Sequence, residues 1–215
     1  MQDMTDKEFS IISEYIKNNY GISLSVDKKS LVYSRLRNIL DKKGFNSFTQ
    51  YYDYLINDKT GMASSTFIDK MTTNHTFFMR EVDHFEYLKN VVLPYIESTS
   101  KDRDVRIWCA GCSSGEESYT LEMILKDYFR NKGNWDTELL ATDISTSILK
   151  KAIRGIYTKD QIRPLSEEWK KNYFKPINDS QVEVIDDIKK SVTYRKFNLM
   201  ENKFPFKRKF QVIFC

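Results

Sequence analysis

The chain has 215 residues, 40% hydrophobic and 14% aromatic, enough apolar side chain for one large domain or two small ones. Its formal net charge is only +4, which speaks against a nucleic-acid-binding protein carried by a basic face. No run of 18 apolar residues occurs, so no membrane-spanning helix and no insertion into a bilayer is expected. The opening MQDMTDKEFS has neither the basic start nor the apolar stretch of a secretory signal, which points to the cytoplasm. Three cysteines, Cys109, Cys112 and Cys215, are too few and odd in number for a disulfide framework. With His75 and His84 as the only histidines, no dedicated metal site is expected.

Residues 5–20 read as a helix: Thr5 and Glu8 form a capping-box pattern, Phe9, Ile12 and Ile16 share one face, and Gly21 is a natural stop. A second helix is expected over 26–43, burying Val32, Leu36, Ile39 and Leu40 and ending at Gly44. Ser47 and Gln50 open a third that carries Phe48, Tyr51, Tyr52 and Leu55. A fourth runs from about Ala63 to Met71. The loops between them are short, so the first 79 residues read as an all-α bundle.

After about residue 80 helical segments alternate with short apolar runs. VRIWCA (105–110), ELLATD (138–143), SVTYRKFN (191–198) and FQVIFC (210–215) read as strands, with helices expected at about Glu117–Phe129 and Ser147–Arg154. Alternating strand and helix is the signature of a parallel α/β sheet. The stretch 175–196 is ambiguous: QVEVIDD and SVTYRKF have the look of a small antiparallel hairpin inserted into the α/β part.

The most informative stretch is VRIWCAGCSSGEESYT, residues 105–120. Its W-C-x-x-C resembles a redox dithiol, but a second turn, Ser113-Ser114-Gly115, follows before the helix, so two small residues filling a strand end is the better reading. The Gly111 turn and the following helix start instead suit a cofactor loop, because glycine lets backbone approach a ligand and a helix N-terminus offers free N–H groups. The Gly-Lys-Ser/Thr of a phosphate loop is absent. Asp143 closes the next strand, where an acid can accept hydrogen bonds from both ribose hydroxyls. The pair implies an adenosine-containing cofactor. The structural alternatives are a helix cap for Asp143, in competition with Ser145, and a capping-box partner of Ser114 for Glu117.

Five segments, TTNHTFFMREVDHF (72–85), RIWCAGCSSGEESYTLEM (106–123), LLATDISTSILKKAIRGIY (139–157), FNLM (197–200) and FQVIFC (210–215), together resemble CheR-type chemotaxis receptor methyltransferases. The resemblance covers nearly the whole chain. It implies an α/β, Rossmann-like class I methyltransferase domain over 80–215, with a small β-subdomain at about 175–196, behind an all-α N-terminal domain over 1–79. It implies S-adenosyl-L-methionine as cofactor, S-adenosyl-L-homocysteine as product, and methylation of glutamate side chains on the cytoplasmic helices of chemotaxis receptors. Matched by motif, Asn74, Thr76, Arg80, Glu117, Asp143, Asn198 and Leu199 fall at cofactor positions, joining Gly111 of the turn, with Arg80 also the candidate catalytic residue. Family members continue past the IFC with further strands, so the resemblance implies a C-terminally truncated sheet and an inactive 215-residue form. The link KPINDSQ lacks the glycine that some members carry in a loop that docks a receptor peptide.

A glutamate carboxylate has a reference pKa of about 4.3 and is ionised at neutral pH, so methyl transfer to it needs no general base. Holding the carboxylate and methyl in line and excluding water suffices. Arg80 suits a carboxylate partner; its structural alternative is pairing with Glu81 or Asp83. Residues 27–43 carry six basic side chains against two acidic ones, a net +4 equal to that of the entire chain. Lys28, Arg35 and Lys42 recur every seven residues along one flank, a surface suited to an acidic helical partner. The competing reading is a non-catalytic module that senses the nucleotide or binds the receptor with the same fold.

Overall fold

A computed structural model describes residues 3–215, so the first two residues of the expected 1–79 span lie outside the described residues. The chain divides into two compact units: one takes in the chain up to Thr73 together with Asn198–Phe204, the other Asn74–Phe197 and Pro205–Cys215.

The first unit holds four helices: α1 Asp6–Tyr20, α2 Lys29–Lys43, α3 Phe48–Asn57 and α4 Met62–Met71. Helix α1 starts with the capping box formed in both directions, Glu8 N donating to Thr5 Oγ1 at 3.2 Å and Thr5 N to Glu8 Oε2 at 2.9 Å. Helix α2 starts later than expected. Val26–Lys28 form a 3₁₀ turn, and Ser25, though extended, makes no side-chain cap. The Ser47 hydroxyl caps α3 by accepting Gln50 N at 3.2 Å. The buried faces are apolar at helical spacing, Ile12 and Ile16 against Val32, Leu36, Leu40, Phe48 and Phe67 among others. Asn198–Phe204 adds to this unit through Met200, whose Sδ lies where a Cβ on Gly21 would meet it at 2.7 Å. Gly21 has φ +70° and closes α1, so both geometry and space require glycine there.

The second unit opens with one long helical segment: α5 Val82–Tyr87, a π turn over Leu88–Val92 and α6 Leu93–Thr99. The widened turn sits just before Pro94, which has no N–H to offer the preceding turn. A four-stranded parallel sheet follows, β1 Ile107–Cys109, β2 Leu139–Asp143, β6 Val192–Lys196 and β7 Val212–Phe214, in the order β6-β2-β1-β7. Helix α7 Glu116–Phe129 crosses from β1 to β2, and α8 Thr146–Arg154 follows β2. The fold class is thus all-α followed by Rossmann-like α/β.

The small sheet is not the hairpin suggested for 175–196. It has three antiparallel strands, β3 Ile156–Thr158, β4 Phe174–Pro176 and β5 Gln181–Val184, ordered β3-β5-β4. The segment after it, instead of folding back on β5, forms α10 Asp186–Ser191 and then joins the parallel sheet as β6, Leu139 to Val192 through Asp143 to Lys196 in register. Val192 and Tyr194 are buried on one side of β6, and that burial against the main sheet outweighs a local turn. Helix α9 Glu167–Tyr173 leads into β4, tied to α7 by Trp169 Nε1 donating to Asp127 Oδ2 at 2.7 Å.

Candidate active site

In the order β6-β2-β1-β7 the chain runs from β1 to β2 in one direction, while β7 lies on the other side of β1. Open α/β sheets bind ligands outside the carboxyl ends of the strands at such a reversal. There β1 ends at Cys109 and β2 at Asp143.

The loop leaving β1 is stitched to the end of β2 bond by bond. Trp108 Nε1 donates to Thr142 Oγ1 at 2.9 Å, and that hydroxyl donates to Ala110 O at 3.0 Å. Cys112 N donates to Thr142 O at 2.8 Å. Ser113 N donates to Asp143 Oδ2 at 2.9 Å, and Ser145 N to Asp143 Oδ1 at 2.9 Å. The α8 cap that sequence left open between Asp143 and Ser145 is settled: the Ser145 hydroxyl accepts Ile148 N at 3.3 Å, while the Asp143 carboxylate bridges the two strand ends. Neither Ser113 nor Thr142 was singled out beforehand. Ser113 adopts φ +48°, a left-handed conformation that nothing in a serine announces, whereas a threonine in the apolar run LLATD was a usable signal.

Glu117 does not pair with Ser114. The residue before α7 is Gly115 at φ +99°, without a side-chain cap, and the Ser114 hydroxyl donates to buried Glu116 Oε2 at 2.6 Å. Glu117 turns back to the end of β1, where its Oε1 accepts the Cys109 thiol at 3.0 Å. Burial raises the Glu116 carboxyl above its ordinary range. Burial, then the Glu117 charge, pushes the Cys109 thiol well up, and burial with Asp143 does the same to Cys112. Both thiols are free and buried, the reverse of a reactive thiolate pair.

The segment before α5 joins the loop through the Ser113 hydroxyl, which donates to Asn74 O at 3.3 Å. Asn74 and Thr76 are half-buried and Arg80 exposed. Arg80 Nη1 donates to His75 O at 2.9 Å, and its Nε lies 4.0 Å from Glu81 Oε1. Met79 at φ +62° and Glu81 at φ +56° flank it. With Ser113, these are three of the four non-glycine residues at positive φ among the described residues, and such strain, at roughly 1–3 kcal/mol each, gathers where function needs it.

The remaining candidates lie in the helical unit. Asn198 donates through Nδ2 to Asn19 O at 2.8 Å and accepts Met200 N at 3.1 Å, and Leu199 is exposed. Arg35 is not a free cation: it donates to Met71 O at 2.6 Å and to Thr73 Oγ1 at 2.9 Å, clamping the end of α4. Lys28 lies 3.6 Å from Asp27, and Lys42 is exposed.

The strand ends fit an adenosyl group. A side chain placed on exposed Gly111 would meet nothing within 4 Å, so the turn is open to a ligand. Helix α7 begins uncapped, leaving its first amides without intrahelical partners. Acids rather than lysines stand at that helix start, Glu116 and Glu117. Such a site disfavours a pyrophosphate and suits a phosphate-free nucleoside with a positive sulfonium. The fold and this site define a Rossmann-like methyltransferase dependent on S-adenosylmethionine.

Comparison with known proteins narrows the class. A family model described as CheR methyltransferase, SAM binding domain, matches residues 74–215, and one described as CheR methyltransferase, all-alpha domain, matches residues 7–72. A protein of Borreliella burgdorferi named chemotaxis protein methyltransferase is 43% identical over 217 residues, covering 99% of this chain and 77% of its own length. Chemotaxis protein methyltransferase 2 of Vibrio cholerae is 32% identical over 214 residues, covering 99% and 74%. Chemotaxis protein methyltransferase 1 of Pseudomonas aeruginosa is 32% identical over 212 residues, covering 97% and 77%. The chain belongs to the CheR methyltransferase family and is an S-adenosylmethionine-dependent methyltransferase of chemotaxis.

Proposed function

We propose that the protein transfers a methyl group to glutamate side chains on the cytoplasmic, glutamate-rich helices of chemotaxis receptors, forming γ-glutamyl methyl esters and acting in the cytoplasm. The observation that carries the site assignment is the Asp143 carboxylate held by two backbone N–H groups at the end of β2, beside the open turn at Gly111. Asp143 takes the ribose hydroxyls, and the turn at Gly111 leaves room for the ribose to approach. Glu117, turned to the end of β1, would add negative charge to the pocket of a positively charged ligand. Asn74, Thr76 and Arg80 supply the opposite wall, with Arg80 turning from the His75 carbonyl to hold a carboxylate by two parallel N–H bonds. Asn198 and Leu199 stand as cofactor candidates on the motif alone.

Bound S-adenosylmethionine supplies a methyl on a positive sulfur. The incoming glutamate is already ionised, so no residue of this chain has to remove a proton. The protein's part is to hold the carboxylate in line and exclude water, with Arg80 orienting a carboxylate, that of the cofactor's methionine or that of the substrate. Lys28, on the 3₁₀ turn before α2, and Lys42, on α2, are exposed cations available to draw an acidic helix, while Arg35 fixes α2 to α4.

The test is transfer of labelled methyl to receptor-containing membranes by the full gene product, with label released by base as methanol. Absence of transfer to a receptor that a related chemotaxis methyltransferase does modify would refute the assignment.

A further inference from the structure

Beneath the loop Ser113–Gly115 lies a group of buried tyrosines that the proposed chemistry does not use. Tyr157, on β3 of the small antiparallel sheet, is 3% exposed, and its hydroxyl donates to Ser114 O at 2.7 Å. Tyr194, on β6, bonds through its hydroxyl to Ser118 Oγ at 2.9 Å. A Cβ on Gly115 would stand 2.9 Å from the Tyr157 hydroxyl, 3.1 Å from the Tyr194 hydroxyl and 3.1 Å from Ala152 Cβ. The loop backbone therefore rests directly on these oxygens, which is why position 115 needs a glycine in space as well as at φ +99°. The Tyr157 ring is fixed in turn by Phe78, edge-on at 4.8 Å, from the same segment as Asn74, Thr76 and Arg80. One ring thus touches both segments to which the cofactor is assigned.

We propose that Tyr157 is a positioning residue for the cofactor loop: its hydroxyl holds the Ser114 carbonyl, and its ring, against Phe78, keeps that loop in register with the 74–80 segment. This rests on the assignment of the strand ends to S-adenosylmethionine. The loop carries a left-handed serine at 113, a conformation that persists only when its surroundings over-determine it. Release of the Ser114 carbonyl removes one of those determinants and leaves a buried acceptor unmatched. Ser113 N then no longer stays aimed at Asp143, and the acid loses its orientation toward the ribose.

Tyr119 supplies an internal control. It is fully buried, on α7, and its hydroxyl donates at the same 2.7 Å to a backbone carbonyl, that of Ala152 rather than of the loop. Its ring packs edge-on to Tyr157 and its N–H donates to Gly115 O, and both contacts are kept in a phenylalanine. Tyr157→Phe and Tyr119→Phe thus delete the same kind of bond, and urea unfolding checks that both remain folded. For Tyr157→Phe the dissociation constant of S-adenosylhomocysteine and the KM for the methyl donor should rise about fivefold to tenfold, the loss of one net hydrogen bond, with kcat within about twofold. Tyr119→Phe should leave both within about twofold. Amide exchange of residues 113–117, measured without ligand, should quicken in Tyr157→Phe and not in Tyr119→Phe. Gly115→Ala, which crowds the same hydroxyl, should reproduce the Tyr157→Phe pattern. Wild-type binding and exchange in Tyr157→Phe, or equal weakening in Tyr119→Phe, overturns the proposal. Quickened exchange in Tyr157→Phe with no S-adenosylhomocysteine binding by the wild type sinks instead the assignment of the site.

Discussion

The Asp143 carboxylate accepts the backbone N–H of Ser113 at 2.9 Å across 30 residues of sequence, and by that bond the acid ending β2 also shapes the loop leaving β1. Removing it should therefore harm both fold and site. Asp143→Ala leaves the Ser113 and Ser145 amides without their acceptor, a loss of about 1–3 kcal/mol in urea unfolding. Calorimetry with S-adenosylhomocysteine should show affinity weakened by about a hundredfold, or ~2.7 kcal/mol. An unchanged dissociation constant in a folded variant would mean that the nucleoside binds elsewhere.

Arg80 separates the two losses. Its side chain is about half exposed, so Arg80→Ala should change stability by no more than about 0.5 kcal/mol. Its kcat/KM for receptor methylation should fall about a hundredfold. Arg80→Lys keeps the charge without the planar fork and should recover only part of that loss. Steady-state kinetics on both variants decides it; near-normal turnover in Arg80→Ala would assign the side chain to its Glu81 contact alone.

Glu122 predicts a pH dependence of stability. It is fully buried on α7, with no hydrogen-bond partner for either oxygen among the described residues. Burial raises its carboxyl from 4.5 to about 9, opposed by Lys126 on α7 and by the nearby Ser191 hydroxyl on α10, and helped by Asp187 on α10 and Glu138 before β2. Between those values the folded chain holds a proton that the unfolded chain has released. Stability is thus greatest below about pH 4.5 for this group and declines as pH climbs to 9, by at most ~1.4 kcal/mol per pH unit. Glu122→Gln keeps the shape without the titration, so its advantage over the wild type in urea should widen from pH 5.5 to 7.5. A constant difference between the two proteins would show that the folded chain does not hold that proton over this range.

Asp104 holds together the edge of the parallel sheet. It is 6% exposed, pairs with Arg106 at the head of β1, and accepts Arg208 Nη2 at 3.1 Å from the stretch leading to β7. Asp104→Ala removes one partner from each guanidinium, Arg106 keeping the Lys209 carbonyl and Arg208 keeping Asp102, and a loss of about 1–3 kcal/mol is expected. Thermal unfolding measures it. An effect below about 0.5 kcal/mol would place this contact with ordinary surface pairs.

The cations of α2 and of the turn before it should divide by role. Lys28→Glu with Lys42→Glu should slow receptor methylation about tenfold at low salt, with the gap narrowing at high salt and stability unchanged. Arg35→Ala should instead destabilise by about 1–3 kcal/mol, because it frees the Met71 carbonyl and the Thr73 hydroxyl. Salt-independent kinetics for the double lysine variant would remove α2 from substrate capture.

Elements set by near neighbours were legible in the sequence. The Thr5–Glu8 capping box, the stops at Gly21 and Gly44 and the Ser47 cap depend on groups three to five residues apart, and each formed where spacing put it. The apolar runs around 107–109, 139–143, 192–196 and 212–214 also became strands. What failed was partner choice. The segment 192–196 pairs with β2, some fifty residues earlier, rather than with the strand just before it, since burying Val192 and Tyr194 against the main sheet exceeds what a local turn offers. Glu117 failed likewise: its spacing from Ser114 matched a cap, but the Cys109 thiol across the strand end takes it.

The amino-acid order alone determined the boundaries of α1–α4, α7 and α8 to within a few residues, the four strand segments of the parallel sheet, the glycine turn and the acid ending β2, because short-range periodicity and capping need no distant partner. Only the tertiary structure decided that Ser113 sits left-handed against Asp143, that Arg35 binds its own α4 rather than facing solvent, and that Tyr157 lies under the loop. Those bonds join residues 30 to 43 positions apart, and a contact at such separation is selected by the burial and hydrogen bonding of the assembled unit, which no local pattern encodes.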